Sequence, residues 1–155
     1  MTLEQKVANR MEQHGKSLAV AESCSGGLLS HRLTNIPGSS QFLKFSLVAY
    51  AYEAKTRLLH VPPALLKRYG AVSEPVVRAM ADNARKLLGT DFSIGITGIA
   101  GPGGATATKP VGLVYIAVSS RSRTVCRRCL FRGSRLQIKK QSTDQALRML
   151  LQFLA

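Results

Sequence analysis

Leu18-Ala-Val-Ala-Glu-Ser-Cys-Ser-Gly-Gly27 is the stretch of sequence that decides the fold. Its first four residues, Leu18 to Ala21, are small and apolar and predict a buried strand. Serines and glycines follow, and the amphipathic run from Leu28 to Leu33 predicts a helix. The first N–H groups of a helix are unpaired and attract an anion or a developing oxyanion, while a serine can cap the helix or act as a nucleophile. The stretch therefore predicts either a binding or catalytic turn, or an ordinary N-capped connection.

The composition predicts one domain covering residues 1–155. A chain of 155 residues is large enough to bury a core without disulfides or metals. No apolar run approaches the ~18 residues that a membrane span needs, and the first residues lack the apolar centre of a signal peptide. Three cysteines do not make a disulfide framework. We therefore expect a cytoplasmic, reduced protein with no membrane partner.

The charge of the chain is strongly positive. Twenty-two Lys and Arg residues against eight Asp and Glu residues leave a net charge of +14, which favours anionic partners. Eight basic residues and no acidic one lie between positions 121 and 140, and we call them the basic strip: Arg121, Arg123, Arg127, Arg128, Arg132, Arg135, Lys139 and Lys140. The strip is either a binding surface or an ordinary solvated one.

Hydrophobic periodicity predicts helices that alternate with strands. The predicted helices are Leu3–Gln13 with Thr2 in a capping box, Leu28–Leu33, a short turn at Gln41–Leu43, Glu53–Leu59, Ala64–Tyr69, one from Ser73 to Gly89, and a last one capped by Ser134. The predicted strands are Leu18–Ala21, Phe45–Tyr52, Phe92–Thr97, Val111–Ser119 and Thr124–Phe131, the last two forming a hairpin. This order predicts an α/β fold, a three-layer α/β/α sandwich on a mixed, mostly parallel sheet.

Two glycine-rich segments each follow a predicted strand, Ser25-Gly26-Gly27 and Gly98–Gly104. Loops at the carboxyl ends of parallel strands meet in one crevice, where ligands bind. Neither segment has the spacing of a Walker loop or of a dinucleotide fingerprint. Lys55 follows a third strand, and Lys109 borders the second glycine segment. Together these features predict a site for a small molecule that carries a phosphate.

A serine nucleophile needs a base, and the three histidines are poorly placed for that role. His14, His31 and His60 lie on predicted helices or at helix ends, away from the glycine segments. A lysine that burial keeps neutral can replace histidine as a base. Lys55 is the candidate because it follows an apolar strand, although its position also fits an exposed helix lysine.

The cysteines do not predict a metal site. Cys126 and Cys129 have a zinc-like spacing, but no second pair completes four ligands, and positions three apart in a strand point to opposite faces. The position of Cys24 fits a thiolate at a helix N-terminus, but a small buried side chain that fills space beneath the turn is the favoured interpretation. We expect no metal and no cofactor.

Four blocks of the sequence resemble the signature motifs of the CinA C-terminal domain family, the nicotinamide mononucleotide deamidase family. They are Ala21–Gly27, Gly70-Ala-Val-Ser73, Thr97–Gly104 and Lys109-Pro-Val-Gly112. The blocks occur in the family's order, and the resemblance extends from about Leu3 to the C-terminus.

The resemblance implies hydrolysis of the carboxamide of nicotinamide mononucleotide to the acid, with release of ammonia and without a metal. It implies a serine–lysine dyad in which Ser23 is the nucleophile and Lys55 the general base, with Ser25 as the alternative nucleophile. Arg135, with Lys139 one turn further on, would meet the phosphate. The full set of expected substrate-binding residues is Ser25, Gly26, Gly27, Tyr50, Thr97, Gly98, Gly101, Gly103, Gly104, Lys109 and Arg135.

The chain departs from the family pattern beside the expected base. Relatives typically have Tyr-Ser-Asn where this chain has Tyr50-Ala51-Tyr52, a glycine in place of Ser46, and an arginine in place of Lys139. The loss of two polar residues there motivates a second hypothesis, a nucleotide-binding or regulatory module without catalysis. A third hypothesis, ranked last, is sequence-independent binding of nucleic acid through the basic strip. We also expect a homo-oligomer, a dimer.

Overall fold

The computed structural model describes residues 1–155 and contains five strands, six α-helices and one 3₁₀ turn. The strands are β1 (Leu18–Glu22), β2 (Leu43–Val48), β3 (Phe92–Gly98), β4 (Leu113–Ser120) and β5 (Thr124–Leu130). The helices are α1 (Leu3–His14), α2 (Leu28–Thr34), α3 (Tyr52–Leu59), α4 (Pro63–Tyr69), α5 (Glu74–Leu88) and α6 (Arg135–Phe153), and the 3₁₀ turn is Ser39–Gln41. None of the helices combines the length and the apolar character needed to cross a membrane.

The five strands form one mixed sheet in the order β2-β1-β3-β4-β5. β1 is central to the parallel part and pairs with β2 on one side and β3 on the other. β4 runs antiparallel to both β3 and β5. Four strands therefore run in one direction and β4 alone runs in the other, which confirms the mixed, mostly parallel sheet and the final hairpin.

Helices cover both faces of the sheet and confirm the three-layer sandwich. Side chains alternate along β1, so Leu18 and Val20 enter one core while Ala19 and Ala21 enter the other. The first core is completed by α1, α2 and α6, and the second by α3, α4 and α5. Because both faces of β1 are buried, its sequence is apolar at every position up to Glu22.

The first and last helices begin as their sequences predict. The Thr2 hydroxyl accepts the Gln5 N–H, and the Gln5 side chain accepts the Thr2 N–H in return. Ser134 and Gln137 form the same capping box at the start of α6. Caps of this kind contribute about 1 kcal/mol each to the free energy of unfolding.

Several boundaries differ from the predicted ones, mostly by one or two residues. β2 ends at Val48 rather than Tyr52, because the carbonyls of Ala49 and Tyr50 accept hydrogen bonds from a lysine side chain instead of extending the ladder. β4 begins at Leu113 rather than Val111, because Gly112 has a φ of 90° and forms a turn. The short helical turn predicted at Gln41–Leu43 lies two residues earlier.

Arg32 joins three helices on the α1/α2/α6 side of the sheet. Its guanidinium lies 3.0 Å from a Glu4 oxygen on α1 and 2.7 Å from an Asp144 oxygen on α6, and all three side chains are less than one-fifth exposed. Largely buried ion pairs lose less to solvent screening than exposed ones.

We expect Arg32→Met to lower the free energy of unfolding by about 1–3 kcal/mol, because it leaves Glu4 without a cation and Asp144 with Lys140 alone. The matched control is Arg57→Met, which removes an ion pair to Glu53 whose side chains are 76% and 67% exposed. That control should change stability by less than about 0.5 kcal/mol. Urea denaturation of both variants measures the difference, and equal losses would contradict the role given to Arg32.

Candidate active site

A cavity of about 450 Å³ lies at the carboxyl ends of β1 and β3. Its walls come from the turn after β1, the start of α3, the segment before α5, the glycine loop after β3 and the first residue of α6. The lining residues are Ser23, Cys24, Tyr50, Lys55, Ala71, Val72, Thr97, Gly98, Ile99, Ala100, Gly101, Pro102, Gly103, Gly104 and Arg135. A larger groove of about 680 Å³ between α1, α2 and α6 contains none of these groups.

The cavity brings Ser23 and Lys55 into direct contact. The Lys55 amine is 2.9 Å from the Ser23 hydroxyl oxygen, 2.8 Å from the Ala49 carbonyl oxygen and 3.0 Å from the Tyr50 carbonyl oxygen. A protonated lysine donates to all three oxygens. A neutral lysine donates its two N–H groups to the carbonyls and keeps its lone pair for the Ser23 proton. The geometry therefore fits a general base that faces its nucleophile.

Burial makes the neutral form of this lysine accessible. Lys55 is 1% exposed, and loss of hydration lowers the pKa of its amine to about 8, with the nearby Cys24 acting weakly in the opposite direction. The two carbonyl acceptors carry only partial charge, so they offset part of the lost hydration. Lys55 is thus a buried side chain, and the alternative of an exposed helix lysine is wrong.

The other nucleophile and base types do not compete at this site. Burial raises the pKa of the Cys24 thiol to about 12, so the thiol stays protonated at neutral pH and fills space, as predicted. His14, His31 and His60 lie at the end of α1, within α2 and after α3, and none of them lines the cavity.

Glu22 holds the turn that carries Ser23, a role that was not predicted from the sequence. Its buried carboxylate accepts the N–H groups of Leu29 and Ser30, both at 3.0 Å, together with the Ser30 hydroxyl. Its carbonyl accepts the Ala49 N–H at 2.8 Å and so positions the carbonyls that hold Lys55. An acidic residue shortly before a helix start was the available signal.

The contacts of Glu22 correct one expectation about α2. The first N–H groups of this helix were expected to attract a bound anion, but the Glu22 carboxylate and neighbouring carbonyls already accept them. Gly26 and Gly27, with φ of 60° and 97°, form the connection to α2 and do not line the cavity. The Ser25 hydroxyl is fully buried and has no hydrogen-bond partner. Ser23 is therefore the serine that contacts Lys55.

The glycine loop after β3 presents free backbone donors. The N–H groups of Ala100, Gly101, Gly103 and Gly104 make no hydrogen bond to another protein group, and all four residues line the cavity. Such donors can bind an anion or a polarised carbonyl oxygen. Thr97 lies in the cavity wall, and its hydroxyl donates to the Ala71 carbonyl at 3.0 Å.

Arg135 lies at the rim of the cavity, where α6 begins. It donates to the Gly101 carbonyl at 2.7 Å and to the Tyr50 hydroxyl at 3.2 Å, so it joins the glycine loop to the opposite wall. Lys139 does not share this position, because its amine lies beside Gly26 outside the cavity.

Lys109 and Tyr52 support the wall from outside. The Lys109 amine donates to the Tyr69 carbonyl at 2.5 Å, which satisfies the end of α4 and keeps this lysine out of the cavity where a substrate contact was expected. The Tyr52 hydroxyl accepts the Ala71 N–H at 3.2 Å. Tyr52, one of the residues that depart from the family pattern, thus helps to hold the segment that lines the cavity.

Comparison with known proteins agrees with the fold and the motifs. The family model of the CinA C-terminal domain matches residues 1–154 of this chain. A protein of Moorella thermoacetica, named as competence-damage inducible, is 52% identical over 149 residues, which cover 96% of this chain and 36% of the relative. The chain spans about a third of the length of the curated relatives it matches.

Two solved structures have the same fold over nearly their whole length. The competence/damage inducible protein CihA of Agrobacterium tumefaciens superposes with a TM-score of 0.96 at 34% identity, covering 99% of this chain and 94% of that one. A competence or damage-inducible protein of Enterobacter asburiae gives 0.95 at 37% identity, covering 99% and 96%. The chain belongs to the CinA C-terminal domain family.

Proposed function

We propose that this chain is an amidohydrolase that converts nicotinamide mononucleotide and water to nicotinate mononucleotide and ammonia. The contact between the buried Lys55 amine and the Ser23 hydroxyl carries the proposal of a serine–lysine hydrolase. The choice of a pyridine nucleotide as substrate rests on the resemblance of the four sequence blocks, and the anion-binding groups around the cavity support it.

In the acylation step the Ser23 oxygen attacks the amide carbon while its proton moves to the neutral Lys55 amine. The tetrahedral intermediate then collapses as its C–N bond breaks. The Lys55 ammonium gives its proton to the leaving nitrogen, so ammonia departs and an ester to Ser23 remains. The carbonyls of Ala49 and Tyr50 keep the amine in place throughout.

In the deacylation step water attacks the ester carbon and Lys55 accepts the proton of that water. The proton then returns to the Ser23 oxygen as the ester bond breaks, and the acid leaves. Both steps build negative charge on the former amide oxygen. The free N–H groups of the glycine loop are the donors that we assign to this oxyanion, because they line the same cavity as Ser23.

The size and the rim of the cavity suit a mononucleotide. Small-molecule sites commonly enclose about 300–1,000 Å³, and this one encloses about 450 Å³. Arg135 stands at the rim and makes no hydrogen bond to Ser23 or Lys55, and its guanidinium can bond two phosphate oxygens.

Incubation of the protein with nicotinamide mononucleotide in ¹⁸O-labelled water tests the proposal. We expect stoichiometric ammonia and nicotinate mononucleotide with one labelled carboxylate oxygen. Free nicotinamide, which lacks ribose and phosphate, is the control substrate and should be turned over far more slowly. Saturable binding of the mononucleotide without ammonia release would contradict the proposal and favour the module without catalysis.

Replacing Arg135 by alanine should raise KM for nicotinamide mononucleotide about 10- to 100-fold and lower kcat less than about 3-fold. A charge-assisted hydrogen bond contributes about 1.5–3 kcal/mol, and the phosphate is remote from the bond that breaks. Steady-state kinetics on the mononucleotide and on its riboside, which has no phosphate, separate the two effects. Arg132→Ala removes an exposed arginine three residues earlier and is the matched control. An unchanged KM in Arg135→Ala would remove this residue from the substrate site.

A further inference from the structure

Almost all carboxylates of this protein interact with other groups of the same chain. Seven of the eight acidic side chains pair with a cation, cap a helix or accept a hydroxyl, and only Glu12 has no partner. Only six of the 22 basic side chains pair with a carboxylate. The surplus basic side chains therefore have no carboxylate to neutralise them, and among them only Lys55 is buried.

Some side chains of the basic strip contact other groups of the protein, and others do not. Arg121 and Lys140 pair with carboxylates, and Arg123 lies 4.7 Å from the centre of a phenylalanine ring. Arg135 belongs to the cavity, and Lys139 packs beside the turn after β1. The remaining three are exposed and make no hydrogen bond or ion pair through their guanidinium groups, and we call them the arginine edge: Arg127, Arg128 and Arg132.

The arginine edge follows an open border of the sheet. β5 is the last strand in the order and pairs only with β4, so its other backbone edge is free. Arg127 lies opposite Ile116 and Arg128 opposite Tyr115, and these neighbours project from opposite faces of the strand. On the face that carries Arg127, α6 packs mainly against β3 and β4, whereas α5 packs on the face that carries Arg128; both arginines are nevertheless exposed.

We propose that the arginine edge binds the phosphodiester backbone of duplex nucleic acid without reading its sequence. Three unpaired guanidinium groups surround this border, one on each face of β5 and one in the loop after it, and none of them gives up an internal partner to contact a phosphate. Phe131 is the only aromatic residue between positions 121 and 140, so unstacked bases have little surface on which to stack. A duplex, recognised through its phosphates alone, is therefore favoured over a single strand.

The same charges argue against pairing of β5 with a second copy of the chain. An antiparallel β5–β5 contact would bring arginines of the two copies close together with no carboxylate between them. Like charges opposite one another across a strand pair are destabilising. The free edge of β5 is thus suited to a polyanion and protected from self-association.

Fluorescence anisotropy with a labelled duplex of about 20 base pairs tests the proposal over a range of salt concentrations. Each neutralised phosphate contributes about 0.9 to the slope of log affinity against log salt. Replacing all three arginines by glutamine should therefore reduce the magnitude of this slope by about 2.7 and weaken binding markedly at low salt. A second duplex of unrelated sequence should bind equally well.

The control variant removes the same number of charges elsewhere on the surface. It carries Lys6→Gln, Lys67→Gln and Lys86→Gln, three exposed positions on α1, α4 and α5. It should largely keep the slope of the wild type. An equal loss in the control, no binding by the wild type at low salt, or binding to phosphatidylserine vesicles but not to the duplex would each overturn the proposal. Ammonia release by the glutamine variant should match the wild type, so the outcome is independent of the proposed amidohydrolase activity.

Discussion

Replacing Ser23 by alanine should lower kcat for nicotinamide mononucleotide by about 10³- to 10⁶-fold, while Ser25→Ala should change it less than about 3-fold. Ser23 is the serine whose oxygen lies 2.9 Å from the Lys55 amine. Without it no covalent ester can form, and only binding and the oxyanion donors remain. Ammonia release measured at saturating substrate checks both variants.

Ser25→Ala is a close control because it makes the same chemical change two residues away. The Ser25 hydroxyl is buried and has no hydrogen-bond partner, so its removal should leave the free energy of unfolding unchanged or raise it by up to about 1 kcal/mol. Both variants should melt at nearly the same temperature as the wild type. Loss of turnover in Ser25→Ala with retained turnover in Ser23→Ala would reverse the assignment of the nucleophile.

The fold could be predicted from the sequence because local signals and burial agree along most of the chain. β1 is apolar on both faces, and the residues on either side of it mark the ends of the neighbouring helices. The largest difference, at the end of β2, lies where a side chain competes with the regular backbone ladder. At Ala49 and Tyr50 the competitor is Lys55, six and five residues further on, and periodicity carries no trace of such a contact.

The site was only partly predictable for a related reason. Sequence motifs indicated which segments meet, and the structure brings Ser23, Lys55, Thr97 and Arg135 to one cavity. Sequence alone did not indicate that the helix N–H groups of α2 would be occupied by a carboxylate from the same turn. Nor did the sequence indicate in which direction a flexible lysine side chain would extend. Lys109 turns to a carbonyl at the end of α4 instead of the cavity.

The value of kcat/KM for nicotinamide mononucleotide should rise with pH along a limb of unit slope and level off above an apparent pKa of about 8. Burial lowers the pKa of Lys55 to about 8, and only the neutral amine can accept the Ser23 proton. Lys55→Arg keeps a long cationic side chain but cannot lose its proton, so it should abolish turnover at every pH. A profile that is flat from about pH 6 to about pH 9 would contradict the role of Lys55 as the base.

The lowered pKa of Lys55 should also make the free energy of unfolding depend on pH, and this can be measured without substrate. The amine has a lower pKa in the folded state than the ordinary value of 10.5, so between about pH 8 and pH 10.5 the unfolded chain binds more protons than the folded one. The free energy of unfolding of the wild type, measured relative to Lys55→Met, should therefore rise with pH through this window, by at most about 1.4 kcal/mol per pH unit. Below pH 8 both states bind the proton and the difference should be constant. A difference that falls or stays level through the window would show that the folded protein does not disfavour the ammonium, and the proposed base would lose its physical support.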